Sequence, residues 1–399
     1  VGTFLGEDAL AAVGATSTLS GLIIGFLLGL SNGFAIITAQ KFGAKNIADM
    51  KKSFAMSLVI GTGISILFTI AGLLFLRPIL RFLNVPEHLV PVAKGYIAII
   101  IAGLLATFLY DACAATLRAI GDAVTPLIIL AISVALNIVG DLFFVLVLKT
   151  GVKGAAIATV LAQIIAFVIC WIYMIRKYEI LRLQKEDFKD PSPIMVKEMV
   201  SAGMSMGFMS SLVNIGTLTL QTAINKLGKD IIIAHTAARK ITEIFMIMFS
   251  VFGQTMATYC GQNMGAGKID RVKRGIWLAI VYNAIWSGLT IIASYTIGGW
   301  LVYLVTGSHN KTVILNATNY LKFDTLFYIV TTLICILRNA MQGLGDHITP
   351  LISSGLEMAG KIVIAATLVP CLGYTGVIIC EPIVWFIMVI PLLIQIFRM

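Results

Sequence analysis

Two polar residues stand one helical turn apart in an otherwise apolar stretch, Asn137 and Asp141 in LNIVGDLFFVLVL, inside the segment 124–148. A spacing of four puts both on one face of a helix. If that helix crosses a bilayer, the carboxylate costs roughly 2.5–3.5 kcal/mol even on the mildest insertion scales. A lone carboxylate there can exchange a proton or Na⁺, because desolvation favours its neutral form and a bound cation its charged form. The Asn137 carbonyl would add a neutral oxygen on the same face, suited to a hard cation. The alternative is a hydrogen-bonded pair that only locks two helices together.

Other charges interrupt apolar segments. Glu357 and Lys361, in ISSGLEMAGKIVIAA, are four apart. They can pair and relieve two desolvation costs together, or line a cavity. Arg239, Lys240 and Glu243 in AARKITEIF lie near a helix start, where they either face a polar cavity or pair at the interface. Asp111, in TFLYDACAATLRAIGD, is a further cavity candidate, and Asp324 in YLKFDTLFY is expected at the interface. Glu381, beside Pro382, has no evident partner in the sequence.

The elements that position these residues are membrane helices. The 399-residue chain is 59% hydrophobic and 12% charged, with a mean hydropathy of +0.97, whereas soluble domains carry about 25% charged residues. The net charge of +10 does not point to nucleic acid, because the cations gather in loops on one side. The six cysteines include no CxxC pair and the four histidines are scattered, so no metal cluster is expected. No nucleophile motif or phosphate loop is evident, and no enzymatic activity is expected.

Eleven long apolar segments are legible, approximately 9–39, 53–76, 90–115, 124–148, 154–175, 198–225, 231–260, 275–304, 315–340, 348–370 and 373–397. The long polar connector, 176–197, divides the chain into an N-terminal lobe (1–175) and a C-terminal lobe (198–399). These halves repeat. A shift of 222 residues aligns 5–44 with 227–266 without a gap, and LRAIGDAVTP (117–126) matches MQGLGDHITP (341–350). The first half's counterpart of 198–225 would precede residue 4, so the expectation is an all-α integral membrane protein of two six-helix lobes. In it a parallel repeat lacks its first helix and 11 transmembrane helices are present. Alternate loops carry 17 cations on one side and nine on the other. The richer side should be cytoplasmic, placing both termini and the connector inside.

Taken together, VGTFLGEDALAAVGA, AQKFGAKN with its echo GQNMGAGK, LRAIGDAVTP with MQGLGDHITP, and NIVGD resemble the multidrug and toxic-compound extrusion (MATE) transporters over essentially the whole length. The resemblance implies two six-helix lobes around a central cavity, and export of organic, often cationic, small molecules from the cell membrane in exchange for Na⁺ or H⁺. No cofactor is implied beyond the coupling ion. The expected partners are a small-molecule substrate and membrane lipid, with the protein a monomer. It also implies a cation site at Asn137 and Asp141, with Thr159 on the next helix and Tyr96 near the start of the fourth as further polar groups. A first-helix aspartate important to the family would precede Val1. Lys361 takes the place of Asn137 in the repeat, 224 residues later, so a single cation site is expected, in the N-terminal lobe. The rival readings are a flippase for lipid-linked or other amphipathic substrates and a non-transporting membrane receptor or scaffold. A flippase calls for a cation-rich cavity, and a scaffold has no use for Asp141.

Overall fold

The computed structural model describes residues 7–82, 85–307 and 309–398, and all regular structure among them is helical. In chain order the helices are α1 (Glu7–Gly43), α2 (Ile47–Leu74), α3 (Leu76–Phe82), α4 (Val90–Ala102), α5 (Leu104–Ala119), α6 (Val124–Leu142) and α7 (Val152–Lys177). After two short 3₁₀ turns come α8 (Pro193–Ile224), α9 (Lys229–Gly265), α10 (Ile269–Thr296), α11 (Gly298–Thr306), α12 (Lys311–Leu326), α13 (Tyr328–Leu344), α14 (Ile348–Leu372) and α15 (Tyr374–Arg398). The repeat is reproduced almost residue for residue. Helices α1 and α9, and α2 and α10, share both boundaries at an offset of 222.

Among the described residues, eight helices are long and apolar enough to span a membrane. Two bent pairs supply further spans, α4–α5 with a 42° bend and α12–α13 with a 55° bend. The expected eleventh is α8, which is 32 residues long but diluted by Ser201, Ser205, Ser210, Ser211, Asn214 and Thr217. Residues 1–6, where the N-terminal lobe is expected to hold the end of the first helix, lie outside the described residues.

Local chemistry sets the helix starts. The GD…TP loops enter α6 and α14 through a glycine at positive φ, Gly121 (+100°) and Gly345 (+93°), a conformation glycine adopts without a Cβ clash. The aspartate that follows then binds the new helix. Asp122 accepts from Thr125 N (3.1 Å) and Thr125 Oγ1 (2.8 Å), and Asp346 does the same with Thr349 (3.0 and 2.7 Å).

The chain forms two compact units, Val1–Ser211 and Leu212–Met399, and the division falls inside α8 rather than at the polar connector. In unit 1, Gly33 of α1 lies so close to α8 that a Cβ there would stand 2.5 Å from the Ala202 carbonyl oxygen. In unit 2, a Cβ on Gly343 of α13 would stand 2.4 Å from the Ala257 carbonyl oxygen of α9. Membrane helices gain attraction from such close backbone approach, which small residues allow.

The connector is docked on unit 1. Leu181 is fully buried in a cluster with Met50, Phe54 and Met174, and Tyr178 Oη donates to Asp122 at 2.8 Å. Lys177 reaches Asp122 at 3.8 Å. Desolvation acts to raise the Asp122 pKa, but the hydrogen bonds from Thr125 and Tyr178 and the Lys177 charge outweigh it and hold the carboxyl below its ordinary range.

Candidate functional site

In unit 1, helices α6 and α7 bring Asn137 and Thr159 together. Asn137 Nδ2 donates to Thr159 Oγ1 at 3.1 Å, and Thr159 Oγ1 in turn donates to the Ala155 carbonyl at 2.9 Å. Asp141 sits one turn on. Its Oδ1 is buried and has no hydrogen-bond partner among the described residues. Gly140 beside it lets the two helices close up, since a Cβ there would stand 3.0 Å from the Ala158 Cβ. Directly after Asp141, α6 widens into a π-helical turn, Phe143–Val147, a distortion common at functional sites. Tyr96 on α4 is near enough for its hydroxyl to interact electrostatically with the Asp141 carboxylate.

These four side chains present a carboxylate, an amide, two hydroxyls and a spare buried carboxylate oxygen. Oxygen donors of this kind suit a hard monovalent cation or a proton. A carboxylate oxygen left without a partner in a low-dielectric interior is costly, and a bound cation or proton removes that cost.

Unit 2 is built differently. Glu357 and Lys361 pair at 3.0 Å on α14, as their spacing suggests, but the pair belongs to a longer chain of charges. Arg338 of α13 reaches Glu357 at 3.4 Å, Lys361 reaches Glu381 of α15 at 3.2 Å, and Glu381 meets Arg239 of α9 at 3.7 Å. Lys361 also donates to Thr217 at 3.4 Å. Lys361 is 3% exposed and Glu381 6%, so these are interior ion pairs. Asp324 is buried beside them, accepting from Tyr328 Oη at 3.2 Å.

Several expectations change here. Asp324 is an interior residue, because α12 carries it into the unit rather than to its edge. Glu381 has two cationic partners. Arg338 lies inside α13, not in a loop, and pairs with Glu357. Glu243 is exposed on α9 and makes no ion pair among the described residues, because the buried stripe of α9 runs beside it through Ala238, Ile241 and Thr242. Asp111 stays partly buried in unit 1, within electrostatic range of Arg118, whose Nη2 donates to Asn32 at 3.0 Å. It does not join Asn137 and Thr159 through any hydrogen bond among the described residues.

The repeat holds a signal that single residues conceal. An offset of 224 takes Tyr96 to Tyr320, Asn137 to Lys361 and Asp141 to Ala365, and an offset of 222 takes Thr159 to Glu381. The Asn137–Thr159 hydrogen bond and the Lys361–Glu381 ion pair are thus the same contact with different chemistry. Tyr320, fully buried, packs edge-on to His235 with ring centroids 5.2 Å apart.

Comparison with known proteins agrees with this architecture. The chain is 29% identical over 332 residues to the probable multidrug resistance protein YpnP of Bacillus subtilis, covering 82% of this chain and 73% of that protein. It is 23% identical over 359 residues to the probable multidrug resistance protein NorM of Oceanobacillus iheyensis, covering 86% and 78%. The fold matches a solved structure described as the outward-facing conformation of a multidrug resistance MATE family transporter of the MOP superfamily. The TM-score is 0.91 at 22% identity, over 99% of this chain and 89% of that one. The MatE family profile matches residues 1–143 and 205–367, most of the length. With an all-helical fold, a tandem repeat and a profile that spans both halves of it, this chain belongs to the MatE family of membrane transporters.

Proposed function

We propose that this protein is a secondary active exporter of organic, cationic small molecules, driven by the entry of Na⁺ or H⁺ at Asp141. The observation that carries the reading is the buried, unpartnered Oδ1 of Asp141 beside the Asn137–Thr159 pair. Asn137, Thr159 and Tyr96 supply the remaining oxygens around the ion. Cation binding favours one conformational state and substrate binding the other, so coupling is the difference in each ligand's affinity for the two states. The names of the relatives, multidrug resistance proteins, support a drug-like organic substrate. The protein works as a multi-pass protein of the cell membrane with the connector and C-terminus in the cytoplasm, and the transport cycle contains no catalytic step.

The test is reconstitution into liposomes loaded with a fluorescent organic cation, with a Na⁺ gradient and then a pH gradient imposed. One gradient should drive dye movement, and Asp141→Asn should lose that response while incorporating into vesicles like the parent. A mutant that responds like the parent would mean a structural carboxylate. A parent that ignores both gradients would turn attention to lipid-linked substrates.

A further inference from the structure

Four contacts seat α6 on α7 in unit 1. Ser133 Oγ donates to the Ala162 carbonyl at 3.2 Å, Asn137 meets Thr159, Gly140 meets Ala158, and Phe144 lies against Gly154. Spacings of four, three and four keep these residues on one helical face. Asp141 falls between the last two contacts, so the register of the turn that follows it sets the direction of its carboxylate. That turn is the π-helical Phe143–Val147. Were it to close into an α turn, one residue would leave the helix and Phe144 would swing off the seam by about 100°, the angle per residue of an α-helix.

Comparison of the two halves locates what holds the turn open. Asp141 corresponds to Ala365 at an offset of 224, but Gly151 and Gly154 correspond to Gly373 and Gly376 at 222. The alignment of these glycines is structural as well. Gly151 and Gly373 both take positive φ, +64° and +58°, and a Cβ on Gly154 or Gly376 would crowd the equivalent residue, Phe144 or Leu368. Unit 1 therefore has ten steps from Asp141 to Gly151 where unit 2 has eight. Counted from α6, Leu148 matches Leu372, and Lys149 and Thr150 have no counterpart. In unit 2, α14 stays α-helical to Leu372 with Pro370 inside it. In unit 1, Thr150 turns two donors back onto one carbonyl of the widened turn, its N to Phe144 O at 3.1 Å and its Oγ1 at 2.7 Å. Gly154 leaves that hydroxyl its room, because a Cβ there would collide with Thr150 Oγ1. We infer that Thr150 is a positioning residue for cation binding at Asp141, clasping the widened turn so that the free carboxylate oxygen stays beside Asn137 and Thr159. The inference rests on the reading of Asp141 as the cation site.

The test measures the cation concentration that half-saturates dye transport in the liposome assay, using Na⁺ or H⁺, whichever drives the parent. Thr150 is exposed and valine keeps its shape without a donor, so Thr150→Val should incorporate into vesicles like the parent. It should raise the half-saturating concentration about tenfold, or about one pH unit for a proton, the size of effect typical of residues that orient metal ligands. The maximal rate should not change. Thr150→Ala, which also lacks the donor, should give the same shift, and Thr150→Ser, which keeps the hydroxyl, should restore the parent value. An unchanged half-saturating concentration in the valine and alanine variants, alongside a response that Asp141→Asn abolishes, would overturn the inference and leave the reading of Asp141 intact. A parent that ignores both gradients, or a response that survives Asp141→Asn, would overturn both.

Discussion

Asn137 and Thr159 in unit 1 hold the same places in the repeat as Lys361 and Glu381 in unit 2. The contacts are nearly equal in length, 3.1 Å for the amide–hydroxyl bond and 3.2 Å for the ion pair, so one helix–helix geometry serves two chemistries. The neighbouring position differs as sharply. Asp141 in unit 1 corresponds to Ala365 in unit 2. Unit 2 therefore supplies its own cations, three of them (Arg239, Arg338, Lys361) against three carboxylates (Asp324, Glu357, Glu381), and each ion pair is internal. Each unit keeps one carboxylate oxygen buried and unmatched, Asp141 Oδ1 in unit 1 and Asp324 Oδ1 in unit 2. Asp324 accepts from Tyr328 and lies within electrostatic range of Arg239 and Lys361, whereas Asp141 makes no ion pair among the described residues, so a mobile cation has a task at Asp141.

The largest effect expected from breaking this contrast is in unit 2. Lys361→Met leaves Glu357 and Glu381 sharing fewer cations in a dry interior, and removing one partner of a buried pair costs about 3–5 kcal/mol. Unfolding in detergent should show it, and a cost below about 1 kcal/mol would mean that the pairs are solvated like surface ones. The same contact in unit 1 should be far weaker. Thr159→Val removes a neutral hydrogen bond and should cost about 0.5–1.5 kcal/mol.

Packing gives an intermediate case. Gly343 corresponds to Ala119 in unit 1, and a Cβ on Gly343 would meet the Ala257 carbonyl at 2.4 Å. Gly343→Ala should cost about 1–3 kcal/mol through overpacking. The reverse change, Ala119→Gly, should cost nearer 0.5–1 kcal/mol through helix propensity alone. Equal costs would mean that α9 and α13 yield as readily as their unit 1 counterparts.

The smallest effect is one of pH. The folded pKa of Asp122 lies below its ordinary value, so its contribution to stability is present above the unfolded pKa and is lost as pH falls through the folded one. Parent stability should therefore decline in acid below about pH 4. Tyr178→Phe, which deletes one hydrogen bond to that carboxylate, raises its folded pKa toward the unfolded one and should make the decline smaller and end it at higher pH. A Thr349→Val change at the second loop should not move the part of the profile that depends on Tyr178.

Part of this was legible in the sequence because it follows from spacing. The 222-residue repeat showed that the halves are duplicated, and the i,i+4 spacing announced Glu357–Lys361. Asn137 and Asp141 stood out because polar groups are expensive in an apolar helix. The partners of Glu381 and Arg338 were hidden because they lie on other helices, 20 and 142 residues away in the case of Glu381 and 19 for Arg338. Asp324 looked interfacial beside Lys322, since sequence alone does not show which way a bent helix pair carries its middle into the unit. The π turn after Asp141 left no residue signature at all.

The most direct test of the contrast is cation-linked stability, measured as the unfolding midpoint of the detergent-solubilised protein across a Na⁺ titration and a pH titration. A ligand at free concentration L that binds the folded state stabilises it by RT ln(1 + L/Kd), so the midpoint rises as the ligand is added. The account predicts that the parent responds to at least one titration, that Asp141→Asn loses that response, and that Glu381→Gln in unit 2 retains it from a lower starting midpoint. Loss of the response in Glu381→Gln with retention in Asp141→Asn would place the cation in unit 2 and contradict the account.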